Sequence, residues 1–110
     1  MRGMFSYAIR DRLLRFASQH RGAPLELVSY DVSGHDNRTA VAICHFLFGH
    51  VTRGSNGHGK EYRYPGFVER EGVVWVGQSV FLVTPLRSEE LRTFLASKVV
   101  AHGRVHIRTT

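Results

Sequence analysis

The chain has 110 residues, room for one hydrophobic core and not for two. Apolar residues make up 43% of it and charged residues 22%, ordinary globular usage that excludes a disordered or fibrous chain. Lys and Arg number 15 against 9 Asp and Glu, a formal net charge of +6, which favours an anionic partner, with nucleic acid ahead of a membrane surface or an acidic protein.

In chain order, the first segment reads as a helix over roughly 6–20. Phe5, Ile9, Leu13, Phe16 and Ala17 form one stripe, with Arg10, Arg12 and Arg15 mostly off it. Arg21-Gly22-Ala23-Pro24 stops it. Such a helix either packs on the domain or covers a sheet edge or a partner. Residues 1–24 are therefore expected to be an N-terminal helical extension and 25–110 the main domain. Leu25–Val32 reads as a buried strand running into a polar loop, where Ser33 or Asp36 can cap the next helix. That helix carries Ala40, Val41, Cys44, Leu47 and Phe48 as its apolar stripe and closes at Gly49.

Residues 50–66 read as a long polar loop within an insert at 50–72. The Val, Phe and Trp content of 67–83 suits strands. One hairpin pairs 73–76 with 79–83 around a type II′ turn at Gly77-Gln78; another pairs 67–70 with 73–76, and periodicity does not choose between them. A further helix takes Ser88 as its N-cap, sets Glu89 and Glu90 at the positive end of its dipole, and buries Leu91, Phe94, Leu95 and Val99. In the last segment, 104–110, Val105 and Ile107 alternate with Arg104, His106 and Arg108, as in a half-exposed strand.

After the leading helix the order is β-α-β-β-α-β. This predicts an α+β protein of the ferredoxin-like pattern, a four-stranded antiparallel sheet with two helices on one face and an extra N-terminal helix. The bare face and the edge strands then need covering, by a dimer partner or by RNA. The positive charge is concentrated at the ends: residues 1–24 carry +4, 86–110 carry +3, and 25–85 carry −1.

Three stretches carry a family resemblance: Val28-Ser29-Tyr30-Asp31-Val32-Ser33, Gly77-Gln78-Ser79-Val80-Phe81 and Arg104-Val105-His106-Ile107. With the helix at 36–49, they resemble the Cas-two-like superfamily, which holds the small CRISPR-associated spacer-acquisition protein and the VapD-type RNase toxins. The chain would be a divergent member. Residues 50–72 exceed the family's short turn, Gln78 meets Ser79 directly, Leu82 replaces a usual acidic residue, and the leading helix has no counterpart. The resemblance implies a homodimer with Asp31 of each subunit facing the two-fold axis. There it would be the catalytic residue and the ligand of one divalent metal, with Mg²⁺ the cofactor, in an endonuclease acting on RNA or DNA. Other members of the superfamily bind DNA without cleaving it. Asp31 can equally cap a loop or the next helix.

Gly54-Ser55-Asn56-Gly57-His58-Gly59-Lys60 matches part of a P-loop but fails at Glu61, where Ser or Thr should hold the metal. The same loop suits nucleic-acid contact better. Arg53, Lys60 and Arg63 offer charge for phosphates, and Tyr62 and Tyr64 offer rings for bases. A surface loop or β-arm packing its tyrosines on the domain or on a dimer mate is the alternative. The seven histidines show no helical metal spacing: His45 and His50 do not share a face well, while His102 and His106 can share one. Cys44 is alone and reads as a core thiol, which excludes an internal disulfide and suggests a reducing, cytoplasmic setting. No apolar run approaches the ~20 residues of a membrane span, and Arg10-Asp11-Arg12 interrupts any signal peptide. The rival function is a non-catalytic regulatory or assembly domain that binds a protein or small molecule.

Overall fold

In chain order the elements are α1 (Arg2–Gln19), β1 (Pro24–Asp31), α2 (Asn37–Phe48), β2 (His50–Arg53), β3 (Glu61–Tyr64), a 3₁₀ turn (Phe67–Glu69), β4 (Val73–Gly77), β5 (Val80–Val83), α3 (Pro85–Ser97) and β6 (Ala101–Arg108). The structure is a computed structural model that describes residues 2–53 and 60–108. It is an α+β fold divided into two units. One unit holds the residues up to Ser33 and those from Gly72 onward; the other is Gly34–Glu71. The leading helix belongs to the same unit as the sheet.

In the first unit, four antiparallel strands run in the order β4-β5-β1-β6. Side chains along a strand alternate between faces, so the central strand β1 must bury both of its own. Leu25 lies on one face with Val74, Leu82 and Phe16 of α1, and the partly buried Leu13, Leu27, Val76 and Ile107 close around them. Helix α1 therefore lies on a sheet face that the sequence reading had left bare. Of its expected stripe, Phe5 falls outside the described side chains. On the opposite face Val28, Phe81 and Val83 are fully buried, as are Leu91 and Leu95 of α3.

Several local expectations change. The β4–β5 hairpin pairs Gly77 with Val80, so its two-residue turn is Gln78-Ser79 rather than Gly77-Gln78. Gly77 also lacks the positive φ that a type II′ turn requires there. The alternative strand over 67–70 is the 3₁₀ turn. Helix α3 starts three residues before Ser88: Thr84 is its N-cap, accepting from Arg87 N, and Pro85 supplies the preset φ of a first turn. Ser88 is wholly buried inside the helix. At the other end Val100 N–H reaches Leu95 O at 2.9 Å, which wraps the chain into a left-handed cap at Val99, φ 56°. That wrap turns Val99 outward, 82% exposed, and buries Val100 in place of it.

In the second unit, Asp36 caps α2 by accepting from Thr39 N at 2.9 Å. Gly49 ends the helix at φ 79° and turns the chain into β2, which pairs with β3 as a two-stranded ribbon. The expected polar loop at 50–66 thus contains a β-ribbon, with residues 54–59 outside the described part. A Cβ at Gly66 would collide with the backbone of Leu47, Phe48 and Gly49, so this crossing requires glycine. Ile43, Leu47 and Phe67 form the buried interior, Phe46 stacks on Phe67 at 5.4 Å, and the Arg70 guanidinium lies over both rings. The stripe expected to be buried is largely outside. Ala40, Val41, Cys44 and Phe48 are exposed, because the helix turns Ile43 and Leu47 inward and the others away. Cys44 is therefore not a core thiol.

Candidate nucleic-acid interface

Strand β6 ends the sheet, and its register against β1 pairs Pro24 with Arg108, Glu26 with His106, Val28 with Arg104 and Tyr30 with His102. Paired residues share a face, so His102, Arg104, His106 and Arg108 stand in one row on the face that carries α3. All four are exposed. Side chains two apart on a strand are about 7 Å apart, close to the separation of neighbouring phosphates on an extended nucleic-acid strand. Of the side chains that β1 and β6 place on this face, Glu26 alone is acidic.

Glu26 is 4% exposed and fully engaged. Its Oε1 accepts from the Ser88 hydroxyl and from Arg104 Nη1 at 3.2 Å. His106 Nδ1 lies 3.9 Å from Oε2. Arg92 Nε donates in turn to Ser88 Oγ at 3.0 Å. Burial pushes the Glu26 carboxyl up, but the hydrogen bonds from Ser88 and Arg104 and the nearby charges of Arg104 and His106 outweigh it, and the net shift is downward. The carboxylate therefore stays ionised, fixes the guanidinium of Arg104 against the sheet and, through Ser88, orients Arg92. The sequence reading singled out neither Glu26 nor Arg92, and it took Ser88 only as a helix cap. A lone carboxylate in the apolar run Leu25-Glu26-Leu27-Val28 was the available signal.

The residues expected to bind nucleic acid lie on or beside the ribbon. The register pairs His50 with Tyr64, Val51 with Arg63, Thr52 with Tyr62 and Arg53 with Glu61. Basic and aromatic residues interleaved in sequence are thereby sorted onto opposite faces. Arg53, Glu61 and Arg63 share one face, Tyr62 and Tyr64 the other. Arg53 pairs with Glu61 at 3.7 Å, and Arg63 pairs with Glu69. The Arg63 hydrogen bond, with one from Gly66 N–H, holds the Glu69 carboxyl below its ordinary value. Two of the three expected phosphate-binding cations are thus matched by carboxylates; Lys60 is exposed just before β3. Tyr64 stacks on His50 at 4.7 Å, and His50 stacks on His45 at 4.2 Å, so the two histidines do meet, because the turn at Gly49 folds β2 back beside the helix end.

Asp31 lies at the exposed end of β1 and accepts from Ser33 N at 2.8 Å, closing the loop that follows. Among the described residues no group of three or more His, Cys, Asp or Glu side chains is gathered as a metal site. A single chain offers one carboxylate here, with one oxygen already accepting from a backbone N–H, so waters and phosphate oxygens would complete the octahedron of any Mg²⁺ it held. No helix among the described residues is long and apolar enough to cross a membrane. Comparison with protein-family models, curated proteins and solved structures finds no match for the chain.

Proposed function

We propose that the protein is a nucleic-acid-binding domain of the ferredoxin-like, Cas-two-like kind, with its phosphate-contacting surface on β6. The carrying observation is the single row His102, Arg104, His106 and Arg108, with Arg92 oriented through Ser88 on the same side of the sheet. The antiparallel order β4-β5-β1-β6 supports the ferredoxin-like assignment, since it is the order a β-α-β-β-α-β chain takes in that pattern. The motif positions agree with the family reading: Tyr30-Asp31 ends β1, and Gly77–Phe81 spans the hairpin.

The test is a salt titration of binding to labelled single-stranded and duplex oligonucleotides. Affinity should fall with a slope of about −0.7 to −0.9 per neutralised phosphate on a logarithmic plot. Arg108→Ala should flatten it, and Arg104→Ala should flatten it less, because Glu26 holds Arg104 in the native chain. Joint replacement of Arg53, Lys60 and Arg63 by Ala should change it little, because Arg53 and Arg63 already face carboxylates. Absence of binding to any nucleic acid at low salt overturns the proposal. Cleavage at Asp31 has its own test: with Mg²⁺ or Mn²⁺, activity present in the native chain and lost in Asp31→Asn supports the endonuclease. Binding without cleavage in either leaves a scaffold.

A second reading, the assembly domain, is favoured by the exposed stripe Ala40, Val41, Cys44 and Phe48 on α2. A second copy or another protein on that stripe would bury apolar surface that now meets water. A monomeric mass at micromolar concentration would contradict the homodimer.

A further inference from the structure

The ribbon's two faces differ in a way the phosphate-binding row does not explain. One holds Arg53, Glu61 and Arg63, with both arginines matched to carboxylates. The other holds His50, Thr52, Tyr62 and Tyr64, and its tyrosines are 52% and 50% exposed. The Tyr64 ring is set by stacking, lying at 12° to His50, which itself lies at 16° to His45. This stack leaves His50 Nδ1 buried without a hydrogen-bond partner.

We infer that this face is a stacking surface for unpaired nucleobases, which makes single-stranded nucleic acid the ligand class. The inference rests on the nucleic-acid reading above and names its substrate. Three features carry it. Tyr62 and Tyr64 are two apart on one strand face, so their side chains leave the backbone about 7 Å apart and each exposed ring has room for its own unpaired base. A ring already held by stacking loses little freedom when a base arrives. The charges on the ribbon's other face are matched, so attraction there comes from rings rather than from phosphates. A duplex keeps its base faces stacked inside and offers nothing to such a surface.

The experiment compares an oligothymidylate, an abasic strand of equal length and a duplex of that length on the full chain. The oligothymidylate should bind about tenfold or more tighter than the abasic strand. Tyr62→Ala should remove most of that difference, leaving abasic binding and the salt slope unchanged, and Tyr62→Phe should keep it. Circular dichroism confirms that each variant is folded. Equal affinity for oligothymidylate and abasic strand, or equal loss of both in Tyr62→Ala, overturns the stacking surface while leaving the phosphate row standing. Failure of all three ligands to bind overturns both proposals.

Discussion

Replacing Glu26 by Gln separates the structural role of the buried carboxylate from its effect on the basic row. The variant keeps the shape and one oxygen acceptor but removes the charge that holds Arg104. A hydrogen bond to a charged group is worth ~1.5–3 kcal/mol, and Glu26 receives two on one oxygen, from Ser88 and Arg104. Arg104 is 41% exposed at its side chain and regains water when released, so the upper part of the range does not apply to its bond. The expected loss is about 2 kcal/mol, or a fall of roughly 8 °C in the unfolding midpoint for a chain of this size. Binding should move the other way. With its carboxylate gone, Arg104 becomes available to one more phosphate, and the salt slope steepens by about 0.7. Thermal unfolding followed by circular dichroism reads the first effect, and anisotropy titrations at several salt concentrations read the second. An unchanged midpoint with an unchanged slope would refute the network. A lowered midpoint with an unchanged slope would refute β6 as the phosphate-contacting strand.

Val99→Gly should stabilise the protein by about 1 kcal/mol in a denaturant titration, because a β-branched residue held at φ 56° with an exposed side chain is strained where glycine is not. The carboxyls of Glu26, Asp36 and Glu69 all sit below their ordinary values when folded. Their stabilisation is present above the unfolded values and is lost as pH falls through the folded ones. The unfolding midpoint should therefore drop below pH 4.5, the ordinary value for Glu26, and drop less in Glu26→Gln. Gly66→Ala should destabilise the Gly34–Glu71 unit by more than about 2 kcal/mol, read as faster hydrogen exchange at the α2 amides, because the added methyl meets the backbone at Leu47–Gly49.

What was legible in the sequence follows from range. Strand β1 and the end of α1 are fixed by neighbours: an apolar run, then Gly22 at φ 78° where a helix must stop. The N-cap of α3 was misplaced because Ser88-Glu89-Glu90 fits a first turn as well as Thr84-Pro85 does, and only burial of Ser88 against Glu26, 62 residues away, separates the two. The face of α2 was misread because Val41 and Cys44 are as apolar as Ile43, so composition could not say which side meets Phe67. The ribbon hid in a polar segment because its strands are four residues each and keep few apolar side chains. The candidate phosphate row was half visible: the alternation of Arg104, His106 and Arg108 was plain, but that Glu26 lies beneath it depends on a register between strands far apart in sequence.

With α1 on one face of the sheet and α3 on the other, a further strand can join only at the sides, and the sides are unlike. Strand β4 is Val73-Val74-Trp75-Val76-Gly77, without a charge, whereas β6 carries the basic row. Copies joined β4 to β4 would close after two. Copies joined β4 to β6 would be related head to tail, building a ring where the rotation closes and a fibre where it does not. In that second arrangement each Arg104 and Arg108 would lose water beside a strand that offers no acceptor side chain. Joining β6 to β6 would set like charges opposite one another. The cations of β6 thus disfavour open-ended polymerisation through that edge.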